Sequence, residues 1–99
     1  MLLREIACSR SGDKGNIVNV CVMPYKPEDW DLLRDRLTSE RVADQFAGLA
    51  EGNIQRYELP GIRALNFVIE DTLDGGVAAS LRLDGHGKSY QSLILETEL

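Results

Sequence analysis

The stretch IQRYELPGIRALNFVIE, residues 54–70, decides the fold of this chain. Two runs of β-prone residues, 54–59 and 62–70, flank Pro60-Gly61, a dipeptide that suits the two central positions of a type II turn. The stretch therefore predicts a tightly connected antiparallel pair of strands. The second strand alternates between two faces: one carries Arg63, Leu65, Phe67 and Ile69, and the other carries Ala64, Asn66 and Val68.

Asn66 is the unusual residue of this pair. A carboxamide between apolar neighbours needs hydrogen-bond partners if it is buried. We therefore expect Asn66 either to bond with nearby backbone or to face a ligand.

Two more strands and a helical region are predicted upstream of this pair. Residues 2–9 and 17–23 read as strands, the second more central because nearly every position is apolar. Pro27 suits the first turn of a helix, which then carries an apolar stripe. The stripe consists of Trp30, Leu33, Leu37, Val42, Phe46 and Leu49, and it ends at Gly52. Thr38 is a good N-cap within it, so the region predicts two helices in line or one kinked helix.

The last quarter of the chain admits two interpretations. After the break at Asp74-Gly75-Gly76, residues 77–83 fit both the alternation of a strand and the spacing of a helix. A helix up to Asp84 is favoured, followed by a turn at residues 85–87 and a short helical stretch near Tyr90, Leu93 and Ile94. With no linker or repeat, the whole chain reads as one α+β domain, a two-layer sandwich of four mostly antiparallel strands with helices on one face.

Composition restricts the class of protein and its partners. The 99 residues are 43% hydrophobic and 27% charged, as expected of one compact domain. A net charge of -5 argues against nucleic acid or an anionic membrane as the partner, because phosphate-bearing surfaces select basic faces. No signal peptide and no apolar run of the ~20 residues that span a bilayer is visible, so a cytosolic location is expected.

Two cysteines, Cys8 and Cys21, and a single histidine, His86, fall short of a zinc site, and no metal or other cofactor is expected. In the cytosol both thiols stay reduced, and we interpret them as small apolar packing residues.

The strongest candidate site is Arg10-Ser11-Gly12-Asp13-Lys14-Gly15-Asn16, between the first two predicted strands. Glycines let backbone N–H groups approach a ligand, and the charged side chains add charge-assisted hydrogen bonds, so the segment could hold a small anion or a partner's polar group. It lacks the glycine spacing of a P-loop. The alternative is an ordinary hairpin connection, in which the same residue types serve the turn.

A second candidate set lies near the break in the last quarter. Gly75 and Gly76 could present N–H groups to an anion, with Ser80 one turn further on. A plain flexible connection is the favoured alternative, and His86 is expected to be solvated. No Ser-His-Asp set or suggestive carboxylate pair accompanies Asp13 and Lys14, so a catalytic centre wholly inside this chain is not expected.

Several blocks together resemble the small ferredoxin-fold domain of the acyclic terpene utilisation (AtuA-like) proteins. They are Arg4-Glu5-Ile6-Ala7, the segment Arg10 to Asn16, Arg56 to Gly61, Ala64-Leu65-Asn66-Phe67, Gly75-Gly76, Ser80 to Asp84 and Gly87-Lys88. The resemblance covers nearly the whole chain and implies a ferredoxin-like fold. Members often have histidine at the place of Cys8, so a role for an imidazole there does not carry over.

The resemblance also implies a partner. In the family this domain often ends a longer protein that takes part in degrading branched terpenoid compounds through acyl-CoA intermediates. The chain is therefore expected to be a small subunit or accessory domain of a large AtuA-like chain, with residues 10–16, Asn66 and the Gly75-Gly76 region as the shared polar surface. One alternative is an independent module, monomeric or homodimeric, that binds a small anion or a CoA thioester. The other is a small enzyme that uses Asp13 and Lys14.

Overall fold

The computed structural model describes residues 1–14, 17–46, 54–70 and 86–99. Its strands are β1 (Ala7–Lys14), β2 (Ile17–Pro24), β3 (Ile54–Leu59) and β4 (Ala64–Glu70). They form one four-stranded sheet in the order β1-β2-β4-β3, and all three neighbouring pairs are antiparallel. The described helices are α1 (Trp30–Arg36), α2 (Ser39–Gln45) and α3 (His86–Ile94). The predicted α+β class, with a four-stranded sheet and helices, is confirmed.

The hydrophobic core lies between one face of the sheet and the helices. β2 contributes Val18, Val20 and Val22, and β4 contributes Leu65, Phe67 and Ile69, all fully buried. Alternation along an extended strand places these residues on a common face. The helices supply Leu33, Val42, Phe46, Tyr90 and Ile94 to the same cluster. The rings of Phe46 and Tyr90 meet edge to face with centroids 4.9 Å apart, which joins the α2 region to α3.

The first strand differs from its prediction. Residues 2–9 were expected to be extended, but Leu3–Glu5 form a 3-10 turn and β1 starts at Ala7. The N-terminal segment instead bonds with the chain's other end: Leu3 N–H donates to the Thr97 carbonyl at 2.8 Å, and Arg4 N–H donates to the Leu95 carbonyl at 3.0 Å. These long-range bonds satisfy the backbone groups that a longer strand would have placed in the sheet.

β1 also continues further than predicted. Its register with β2 runs without a break from Ala7 opposite Pro24 to Lys14 opposite Ile17. The prediction that residues 10–14 form a loop is therefore wrong, because their backbone groups pair with a full-length neighbour. Only residues 15 and 16 lie between the two strands, and they lie outside the described residues.

The connection between β3 and β4 is not the predicted type II turn. Ile62 N–H donates to the Leu59 carbonyl and Arg63 N–H donates to the Pro60 carbonyl, which makes one short helical turn. Arg63 then adopts a left-handed φ of 51°, while Gly61 does not, although a type II turn requires it there. β4 consequently begins at Ala64 rather than Ile62, and Arg63 does not share the face of Leu65.

The helical region contains two helices, which was one of the two predicted arrangements. Leu37 and Thr38 separate α1 from α2, and the Thr38 hydroxyl accepts a hydrogen bond from Arg41 N–H at 3.2 Å, as an N-cap does. The predictions for Leu49, Gly52 and residues 77–84 lie outside the described residues. The helix near Tyr90 is confirmed, but it begins at His86, so the predicted turn is wrong at residues 86 and 87. Packing of Tyr90 and Ile94 in the core supports that longer helix.

Candidate functional site

The two faces of the sheet have different surroundings. We call the face that packs on the helices the covered face, and the opposite one the open face. Among the residues whose side chains the structure describes, the open face consists of Cys8, Arg10, Gly12, Ile17, Asn19, Cys21, Met23, Gln55, Tyr57, Leu59, Ala64, Asn66, Val68 and Glu70. Every strand residue of the described hydrophobic core cluster belongs to the covered face. On the open face Ile17 is 48% exposed, Tyr57 45% and Leu59 38%, so large apolar side chains meet water there.

One row of the open face crosses all four strands. Arg10 pairs with Cys21, Cys21 pairs with Asn66, and Asn66 pairs with Tyr57. The Cβ atoms of directly opposite residues in an antiparallel pair lie about 4.5–5.5 Å apart, so each side chain of the row is a direct neighbour of the next. We call these four residues the cross-sheet row. It contains a guanidinium, a thiol, a carboxamide and a phenol.

The Asn66 carboxamide is unusual within the row. Its Oδ1 atom is buried and has no hydrogen-bond partner among the described residues, although the residue as a whole is only half-buried. Neighbouring Tyr57 does not supply one, because its hydroxyl donates to the Gln55 Oε1 atom in a short hydrogen bond. A buried acceptor without a partner costs about 1–3 kcal/mol, so such an atom calls for an explanation.

Arg10 and Cys21 give the row its electrostatic character. Arg10 is exposed, and neither a hydrogen bond nor an ion pair joins its guanidinium to another residue of the described part. Burial raises the pKa of the Cys21 thiol, the neighbouring Cys8 raises it further, and Arg10 opposes the shift. The Cys21 thiol is therefore neutral at physiological pH, and the positive charge of Arg10 is not cancelled by a thiolate.

The glycine at position 12, within β1, has a steric reason. It faces Asn19 across the strand pair, and a Cβ atom at Gly12 would lie 3.1 Å from the Asn19 Oδ1 atom. The glycine thus makes room for a neighbouring carboxamide rather than for a tight turn. Asn19 is exposed and lies one row away from Asn66, so it extends the polar area of the open face.

Ser11, by contrast, lies on the covered face. Its N–H and its hydroxyl donate to the Gln91 Oε1 atom at 3.2 and 3.1 Å, and the Ser9 hydroxyl donates to the Gln91 carbonyl at 2.7 Å. Gln91 therefore fastens α3 to β1 and occupies a donor on the sheet's edge strand. Ser11 has a structural role in this arrangement, which its place in the candidate segment did not predict.

The structure thus brings together only part of the predicted site. Arg10, Gly12 and Asn66 share the open face. Asp13 and Lys14 lie in β1, and their backbones pair with Val18 and Ile17. The remaining candidates, Gly15, Asn16, Gly75, Gly76 and Ser80, lie outside the described residues.

Cys21 and Tyr57 were missed as members of the site. Strand alternation would have revealed Cys21 had β1 been extended through Gly12 in the prediction, whereas Tyr57 aligns with Asn66 because the turn between β3 and β4 is longer than the predicted one.

Two classes of site find no support in the described part of the chain. No group of three or more histidine, cysteine, aspartate or glutamate side chains there could hold a metal ion. Likewise, none of the described helices has the length and apolar character needed to cross a bilayer.

The fold and the open face define a ferredoxin-like α+β domain with one sheet face left uncovered by the described helices. The chain matches the family model described as the AtuA ferredoxin-like domain over residues 1–99, and it belongs to that family. No curated protein and no solved structure matches it.

Proposed function

We propose that this domain is an accessory domain or small subunit that docks on a larger AtuA-like chain through its open face. The observation that carries the proposal is the Asn66 Oδ1 atom, buried without a partner among the described residues in the same row as Arg10. Within the described part of the free chain this buried oxygen has no donor and the guanidinium has no anion. An assembled chain gains a positioned acceptor and a charge, which suits a surface that is completed by another molecule.

The residue types of the open face support a protein partner. Tyr57, Met23 and Arg10 are of the types enriched in protein interfaces, and Leu59 adds exposed apolar surface beside them. Apolar positions lie beside the polar row, so the face combines a hydrophobic area with a few directional groups. Such a combination gives affinity through burial and orientation through hydrogen bonds.

The predicted cytosolic location forms part of the proposal. Cys8 and Cys21 are both free and both lie on the open face. Partly accessible free thiols such as these persist in a reducing compartment, whereas an oxidising compartment selects for their pairing or loss. The larger chain would then handle its acyl-CoA-related substrate in the same compartment, with this domain supplying binding groups rather than reacting ones.

A second candidate function is an independent module for a small anion or a CoA thioester, as a monomer or a homodimer. The observation that favours it is Arg10, an exposed guanidinium without an ion pair in the described part of the chain. One guanidinium is a sparse site for a phosphate or carboxylate in water, because exposed ion pairs contribute only about 0–1 kcal/mol. The partner proposal is preferred for that reason.

Co-expression with a large AtuA-like chain from the same genome tests the two functions. The partner proposal expects a stable complex in size-exclusion chromatography and a dissociation constant in the micromolar range or below by calorimetry. The isolated domain should give no heat with CoA, acetyl-CoA, acetate or phosphate. Failure of the two chains to associate would end the proposal, and saturable binding of CoA by the isolated domain would support the module instead.

A further inference from the structure

We infer that the cross-sheet row recognises one short acidic segment of the protein partner, with a carboxylate on Arg10 and a neighbouring N–H or O–H donor on Asn66. This inference rests on the proposed function and specifies the chemistry of its interface. Two unmet requirements lie in the same row: Arg10 has no anion and Asn66 Oδ1 has no donor within the described residues. A single partner segment that carries both groups satisfies both requirements.

The spacing of the row suits one segment. Neighbouring strands lie about 4.8 Å apart, so the Cα atoms of Arg10 and Asn66, two strands apart, are separated by roughly 10 Å. The long Arg10 side chain can lean across Cys21, which is small, and shorten that gap. A partner strand or loop can therefore present an aspartate or glutamate to Arg10 and a backbone N–H to Asn66 within two or three residues.

Cys21, in the middle of the cross-sheet row, does not repel an anion. Burial keeps the Cys21 thiol protonated, so it carries no charge that would repel a carboxylate. Exposed Asn19, one row away, offers a further neutral polar group, and Gly12 opposite it presents no side chain that would hold a partner at a distance. The row can thus be approached closely from β1 and β2.

Asn66 has to move when the partner docks. Its Oδ1 atom is covered in the free chain, so the carboxamide must turn outward before a donor can reach it. The cost of turning is small because the covered position leaves the oxygen without a hydrogen bond to break. Replacing the Asn66 carboxamide by an apolar side chain of similar size should therefore have two opposite effects: the free chain becomes more stable and the complex becomes weaker. A residue with only a structural role would not behave in this way.

The test uses the complex with the large AtuA-like chain and measures dissociation constants together with the thermal midpoint of the free domain. Arg10→Glu should weaken binding by about 10- to 100-fold, because a charge pair becomes a repulsion. Arg36→Glu, the same charge change on an exposed residue of α1, is the matched control and should stay within roughly threefold.

Asn66→Leu should raise the midpoint of the free domain by about 4–8 °C and weaken binding by about tenfold. Thr97→Val, its control away from the open face, removes the other buried polar atom without a partner among the described residues, so it should raise the midpoint and leave binding unchanged. Association that is unaffected by Arg10→Glu or by Asn66→Leu would overturn this inference and leave the proposed function intact. A lower midpoint for Asn66→Leu would also overturn it, since the oxygen would then have a partner already. Absence of any association would overturn both proposals.

Discussion

The two faces of the sheet differ in whether their polar side chains have hydrogen-bond or ion-pair partners. On the covered face polar side chains have partners: Ser9 donates to the Gln91 carbonyl at 2.7 Å and Arg56 donates to the Leu37 carbonyl at 2.9 Å. On the open face Asn66 Oδ1 is buried without one, and Arg10 lacks an anion in the described part. The polar groups named for the covered face have their partners within this chain. Those named for the open face have none among the described residues, and that difference is the basis of the functional proposal.

The largest expected effect compares the same truncation on the two faces. Val20→Ala removes two methyl groups from a fully buried residue of β2 and should cost about 2–3 kcal/mol of unfolding free energy. Val68→Ala makes the same change on β4 at a half-buried position of the open face and should cost under about 1 kcal/mol. Urea unfolding measures both. Equal losses would mean that the free chain already packs something on the open face.

Arg56 gives the next largest effect, because it fastens the end of α1 to the sheet. Its guanidinium donates to the carbonyls of Leu37 and, in a short hydrogen bond, Arg34, at the C-terminal end of that helix. A cation there also complements the helix dipole. Arg56→Ala should lower the unfolding free energy by about 2 kcal/mol. Arg56→Lys should recover less than half of the loss, since an ammonium group cannot form the same fork. A loss below about 0.5 kcal/mol would contradict this role.

Thr97 provides a counterpart to Asn66 away from the open face. Its Oγ1 atom is buried without a partner among the described residues, and the residue is only 3% exposed. Thr97→Val keeps the shape and removes the unmet hydroxyl, so it should raise the unfolding free energy by about 1 kcal/mol. Binding of the larger chain should not change. Weaker binding in this variant would show that a gain in stability alone impairs docking, and the comparison with Asn66 would lose its meaning.

A smaller effect is expected in the turn between β3 and β4. Gly61 lies outside the left-handed region, and an added Cβ would meet nothing within 4 Å. Gly61→Ala should therefore raise the unfolding free energy by about 0.4–1 kcal/mol, chiefly by restricting the unfolded chain. A type II turn would instead make alanine destabilising at this position. Thermal unfolding distinguishes the two signs.

The smallest effect is a loss of stability at alkaline pH. A hydrogen bond to Glu98 raises the pKa of the Met1 amino group, and burial raises the pKa of the Cys21 thiol. Both groups hold protons more tightly in the folded chain, so their contributions are complete below their unfolded pKa values and disappear as pH rises through the folded ones. Stability should decline slightly from about pH 8 upward. Cys21→Ala should flatten part of the decline, and an increase of stability in this range would contradict the assignment.

The sequence predicted most of the fold and less of the site. The apolar run of β2, the alternation of Leu65, Phe67 and Ile69 in β4 and the cap at Thr38 are local signals, and each was confirmed. Local sequence does not determine where β1 starts, because the N–H groups of Leu3 and Arg4 donate to carbonyls of Thr97 and Leu95 at the other end of the chain. The first strand was also predicted to end at Ser9, whereas β1 continues to Lys14, and that error placed Arg10 in a loop and hid its alignment with Cys21. Gln91 was missed because nothing in its neighbours along the chain indicates a bond to Ser11.

Protection of Cys8 and Cys21 tests most directly whether the open face is the docking surface. They are the only cysteines of the chain, and both lie on that face. A thiol reagent applied with and without the large AtuA-like chain measures the accessibility of this face with no mutation in the domain. The control is Asp31→Cys in a chain with both native cysteines changed to alanine, which places a thiol on exposed α1 surface. We predict that the native thiols react in the free domain and are protected in the complex, while the α1 thiol stays reactive. Native thiols that react equally in both states, or protection of the α1 thiol alone, would contradict the account.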